Sequence, residues 1–204
     1  SVTLVGDTAE RTVRLSSAGR LFTIGSSVTL TLDNNVTLQG LTNNTVPLVQ
    51  VNSGGTLMMK TGSKITGNNG GASGGGVYVS GGTFTMSGGI ISGNSATGTS
   101  TSGDAGGGVY VSGGTFEMSG GTISDNTASG CYSSGGGVYM NGTFKKESGG
   151  IIYGSNETGN DTSGNPLKNT ASNGHAVYTY SGKKRDTTAG VGVTLDGGTD
   201  TNWE

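Results

Sequence analysis

The chain has 204 residues, a formal net charge of −2 and only 12% charged residues, which leaves no basic footprint for nucleic acid. Hydrophobic residues make up 30% and glycine fills 43 positions, too lean for an ordinary thick core but sufficient for a narrow buried strip shared between stacked repeats. Neither an 18-residue apolar run nor a signal-peptide pattern is present, so no direct membrane insertion is expected.

In chain order, residues 1–19, "SVTLVGDTAERTVRLSSAG", are expected to form an N-terminal cap or partial coil. "TLTLDNNVTLQG" (Thr29 to Gly40) then aligns without gaps on "TLMMKTGSKITG" (Thr56 to Gly67). "GGGVYVSGGTF" runs from Gly74 to Phe84 and returns at Gly106 to Phe116; a shortened copy, "GGGVYMNGTF", runs from Gly135 to Phe144. The apolar anchors of these units are Leu30, Leu57, Phe84, Phe116 and Phe144.

Inside each unit the pattern is strand-like. Val77 and Val79 share one face, as do Phe84 and Met86, at the period of two that a strand imposes. A third short run carries Ile91, with Ile65 and Ile123 as counterparts. Gly and Ser-Gly turns separate the runs, and no stretch carries helix caps. Three short strands per repeat of about 27 residues predict one coil of a parallel β-helix. The expected fold is therefore all-β, a right-handed single-stranded parallel β-helix of about six coils. They are placed at 20–40, 48–68, 74–94, 106–126, 135–156 and 174–199. The chain is read as one domain over 1–204, with coils over 20–199 and a polar tail at 200–204 whose Trp203 covers the last rung.

Other residues follow from the coil. Asn68, Asn94 and Asn126 each lie three residues after an isoleucine anchor, with Asn156 slightly out of step; they are expected to form an asparagine ladder. Lys183-Lys184-Arg185, followed by Asp186, reads as a solvated turn. Cys131 is the chain's one cysteine, so no internal disulfide is possible, and it reads as an incidental loop thiol. The start at Ser1 rather than Met suggests a mature or excised fragment.

"GGGVYVSGGTFTMSGGIISGNSA" resembles the repeat of bacterial surface proteins, adhesin-like and polymorphic outer-membrane-like, of right-handed parallel β-helix, pectate-lyase-like architecture. The resemblance covers roughly Thr29 to Asn156, with a decayed copy in "GHAVYTYSGKKRDTTAGVGVTLDG". It implies an extracellular or bacterial cell-surface location and a place in a larger surface protein. It leaves function open, because the same fold carries lyases, hydrolases and adhesins.

Chemistry is expected on the outside of the coils. If Val77 and Val79 point in, Tyr78 points out, and Tyr110, Tyr139 and Tyr178 follow as one external column. Polar loops at 69–73, 95–105, 127–134 and 157–173 precede these tyrosines and are expected to wall one side. Flat aromatic faces beside hydroxyls suit sugar rings, so Tyr78, Tyr110, Tyr139 and Tyr178 are the candidate ligand-binding residues, with a polysaccharide or a host or plant glycan as partner. A second outward column holds Thr83, Thr115 and Thr143, with Glu117 and Lys145 beside it as a pair across rungs. Its threonines raise an ice-binding reading, but a full pair of them recurs only at Thr29/Thr31 and Thr83/Thr85.

The alternative is a polysaccharide-degrading enzyme, a glycoside hydrolase or polysaccharide lyase. It needs convergent carboxylates, and the weak candidates are Glu117, Glu147 and His175, the last replacing the middle glycine of "GGGVY". Asp104 and Asp125 are scattered over other positions of the coil. A second alternative is a passive stalk. No metal and no cofactor are expected.

Overall fold

The structure is a computed structural model that describes residues 1–97, 104–130, 133–147, 149–155, 157–171, 174–180 and 185–187. Cys131, Asn156, Lys183, Lys184 and Trp203, singled out from the sequence, lie outside the described residues.

Alternating small apolar and hydroxyl residues with glycine corners leave the chain one economical solution: short extended runs that each pair with the same run one repeat later. The first coil holds β1 (Val2–Leu4) and β2 (Arg11–Arg14). The second holds β3 (Phe22–Ile24), β4 (Thr29–Leu32) and β5 (Val36–Gln39). The third repeats it with β6 (Val49–Val51), β7 (Thr56–Met59) and β8 (Ser63–Thr66). In the fourth, the three runs merge into one long strand, β9 (Val77–Ser92), followed by β10 (Ser95–Thr97). The fifth is entered through β11 (Asp104–Gly106), continues as β12 (Val109–Ser124) and leaves through β13 (Thr127–Ser129). The sixth follows from β14 (Ser133–Gly135) through β15 (Val138–Met140) and β16 (Thr143–Lys146) to β17 (Ile151–Ile152). β18 (Val177–Thr179) and β19 (Arg185–Thr187) begin another.

Every pairing between these strands is parallel, from β1 on β4 to β15 on β18. The result is a parallel β-solenoid of about five turns with partial coils at its ends. Six were expected, but of the last coil, placed at 174–199, only the first part lies among the described residues. Within β9 and β12 the register slips at the glycine corners, between Val111 and Gly113 and between Met118 and Gly120. These slips let one continuous strand turn two corners.

The core is a set of inward columns. Leu30, Leu57, Phe84, Phe116 and Phe144 are in register on successive coils, as the sequence anchors require. The Phe84 and Phe116 rings stack at 4.7 Å and 6°, and Phe116 and Phe144 at 5.2 Å and 17°. Leu38, Ile65, Ile91, Ile123 and Ile152 form a second column, all buried. A third runs Leu32, Met59, Met86, Met118 and then Lys146. Lys146 is only 3% exposed; its stem continues the methionine column, and its ammonium donates to the Glu147 and Gly149 carbonyls at the next corner.

Candidate functional site

The tyrosine column exists in the predicted register. Gln50 pairs with Tyr78, Tyr78 with Tyr110, Tyr110 with Tyr139 and Tyr139 with Tyr178. Ring centroids lie 5.3, 5.0 and 5.7 Å apart along it. It faces away from the main core, as the alternation in β9, β12 and β15 dictates. It is not an open strip, however. Tyr139 is 0% exposed, and Tyr78, Tyr110 and Tyr178 are half-buried.

The cover is the set of loops upstream of each tyrosine. They do not merely flank the column; they pair into small sheets of their own. β10 lies parallel on β13, and β11 on β14. Ala96, Ala105, Ala128 and Ala171 form a second apolar cluster inside this wing. Alanine at these places lets the wing lie close to the coils. The Tyr78 hydroxyl is hydrogen-bonded to Ser112 at 2.9 Å, whereas the buried Tyr139 hydroxyl has no partner in hydrogen-bonding geometry. Its anionic neighbour is Asp104, at the start of β11. Burial first and then Asp104 push the Tyr110 phenol up to about 12, and the same two causes raise Tyr139.

The acids do not converge where the sequence offered them. Glu117 pairs with Lys145 at 3.1 Å, as the rung arithmetic suggested, and both remain well exposed. Glu147 is exposed beyond β16 and takes no part in that pair. Among the described residues, no group of three His, Cys, Asp or Glu side chains could hold a metal ion. Two acids that sequence reasoning did not link feel each other's field. Burial and the Asp161 charge raise Asp125, with Lys64 opposing, while hydrogen bonds from Asn165 hold Asp161 low.

His175 has a steric explanation. A Cβ on Gly75 would sit 2.1 Å from the Gly107 carbonyl oxygen, one on Gly107 2.3 Å from that of Gly136, and one on Gly136 2.6 Å from that of His175. Each coil's middle glycine is forced by the backbone of the coil above it. Position 175, which carries a side chain, has no further rung above it among the described residues. Its Nδ1 accepts from the Ala171 amide at 3.2 Å, tying the imidazole to the wing.

The asparagine ladder is longer than expected. Asn44, Asn68, Asn94, Asn126 and Asn169 are all buried. Side-chain amides link Asn44 to Asn68 at 2.9 Å, Asn94 to Asn126 at 3.1 Å and Asn126 to Asn169 at 3.0 Å. The rung above Asn126 is Asn169, reached after a long excursion.

One open feature was not foreseen. A groove of about 520 Å³ runs along the stack past Glu10, Thr37, Ser63, Lys64, Ser87, Gly88, Gly89, Ile90 and Gly121, thus across five successive coils. Its floor is the corner at which the coils carry Ser-Gly-Gly or Thr-Gly-Ser instead of large side chains. Lys64 and Ile90 sit in register on its wall, and Glu10 closes one end by accepting from the Thr37 hydroxyl at 2.7 Å. The recurrent Ser-Gly-Gly was the signal that could have found it. No helix among the described residues is long and apolar enough to cross a membrane. Comparison with known proteins finds no matching family model, no matching curated protein and no matching solved structure.

Proposed function

We propose that the chain is a module of an extracellular bacterial surface protein that binds a linear glycan in the groove over Thr37, Ser63, Lys64, Ser87 and Ile90. The observation that carries the reading is the run of that groove along the solenoid axis over five coils. At about 4.8 Å per coil it is roughly 20 Å long, enough for several sugar units of an extended chain. The exposed Ser87 supplies a hydroxyl at the groove surface, Ile90 is 42% exposed and supplies an apolar face, and Lys64 favours an acidic polymer. The tyrosine column supports the wing from below, with Tyr78, Tyr110 and Tyr178 at its half-buried margins.

The test is affinity electrophoresis against plant and host polysaccharides, with a reducing-end assay on the same mixtures. Retardation that Lys64→Ala and Ile90→Ala each weaken at least several-fold supports the groove. Retardation that neither variant changes moves the site elsewhere, and new reducing ends would turn attention to an enzyme reading, with Asp125 and Asp161 examined first. A second reading, a rigid spacer, is favoured by the unbroken phenylalanine, asparagine and tyrosine columns. Absence of retardation by any polymer would put it ahead.

A further inference from the structure

Four of the chain's seven tyrosines occupy one in-register column, and the neighbouring inward column does the same packing with phenylalanine. The hydroxyls are therefore not needed for stacking. At Tyr139 the hydroxyl is fully buried and without a hydrogen-bonding partner, which costs stability. Tyr78 and Tyr110 are half-buried, and their rings lie 5.3 Å apart at a tilt of 33°. They sit on adjacent coils, 32 residues apart in sequence, with no disulfide possible in a chain of one cysteine.

We propose that this column is an oxidative cross-linking site at which a one-electron oxidant joins Tyr78 to Tyr110 as dityrosine, stapling the fourth coil to the fifth. Each phenol gives up one electron and its hydroxyl proton. The two phenoxyl radicals couple through ring carbons ortho to oxygen, and each ring then returns its ortho hydrogen to restore the phenol. The net loss is two hydrogen atoms. With a peroxidase and hydrogen peroxide, those two protons and two electrons reduce one peroxide to two waters. Both phenols are protonated at neutral pH, so each electron leaves together with its proton, which passes to water at the half-buried edge of the column. In-register stacking keeps the coupling within the chain, and exposure selects the pair: Tyr139 also lies 5.0 Å from Tyr110 but is 0% exposed, whereas Tyr78 and Tyr110 are both half-buried and open to the oxidant.

The experiment treats the whole chain, at micromolar concentration, with horseradish peroxidase and hydrogen peroxide, and maps the product by peptide mass spectrometry and dityrosine fluorescence. The expected product is a monomer lighter by two hydrogens whose cross-linked peptide contains Tyr78 and Tyr110. Y78F and Y110F should each abolish that peptide, whereas Y153F should leave it unchanged; far-ultraviolet circular dichroism checks that the variants keep the fold. The proposal is overturned by no reaction, by cross-links only between chains that fade on dilution, or by a monomer product that persists undiminished in both Y78F and Y110F.

Discussion

The Asn126 side-chain amide donates to the Asn169 side-chain oxygen Oδ1 at 3.0 Å, joining residues 43 apart in sequence at adjacent rungs of one ladder. Asn126 also donates to the Ile91 and Ser124 carbonyls and accepts from Asn94, all out of reach of water. Asn126→Ala strands these groups and is expected to lower unfolding stability by about 1–3 kcal/mol. Urea denaturation measures it, and a loss below about 0.5 kcal/mol would mean that water replaces the ladder.

Gly107→Ala places a methyl group against the Gly136 carbonyl and should cost about 1–3 kcal/mol by overpacking. His175→Gly restores the repeat's own residue at a place with no further coil above it among the described residues, and should shift stability by no more than about 0.5 kcal/mol. Thermal melts of the two variants side by side separate a steric rule from a general dislike of substitution.

Tyr139→Phe removes a buried hydroxyl that has no partner, so it should be neutral or stabilising by up to about 1 kcal/mol. A clear loss of stability would show instead that the hydroxyl is bonded to Asp104 in solution.

Alkaline titration should find a phenol ionising late. Tyr110 has its folded-state value raised to about 12, above the unfolded value near 10. The neutral phenol is the form the fold favours, so its contribution is complete below about pH 10 and is lost as pH rises from there toward 12. Absorbance of phenolate at 295 nm follows it; Tyr110→Phe should remove one late-titrating group.

Glu117→Gln breaks an exposed pair with Lys145 and should cost at most about 0.5 kcal/mol, less at high salt. A larger, salt-independent loss would mean that Glu117 holds more than its partner lysine.

Much of this molecule could be read from its letters. The anchors Leu30, Leu57, Phe84, Phe116 and Phe144, the inward valines of "GVYV", the Glu117–Lys145 pair and the register of Tyr78, Tyr110 and Tyr139 all follow from a repeat whose strands pair with themselves one coil later. Identical runs stacked in register make sequence position equal to position in space, so alternation alone assigns inside and outside. That logic fails where the repeat is interrupted. Asn169 and Asn44 were missed because excursions of unequal length precede or follow them, and no fixed spacing marks their rungs. The tyrosines, read as an open platform, are half-buried at Tyr78, Tyr110 and Tyr178 and fully covered at Tyr139, because exposure depends on where Ala96, Ala105 and Ala128 let the wing come to rest. The groove past Lys64 and Gly88 is a space between side chains on five coils, and it exists only once those coils are stacked. The sequence by itself thus determined the coil and its columns, which depend on local alternation and self-pairing. Only the tertiary structure decided which outward residues meet solvent, because that rests on packing between segments whose separations obey no period.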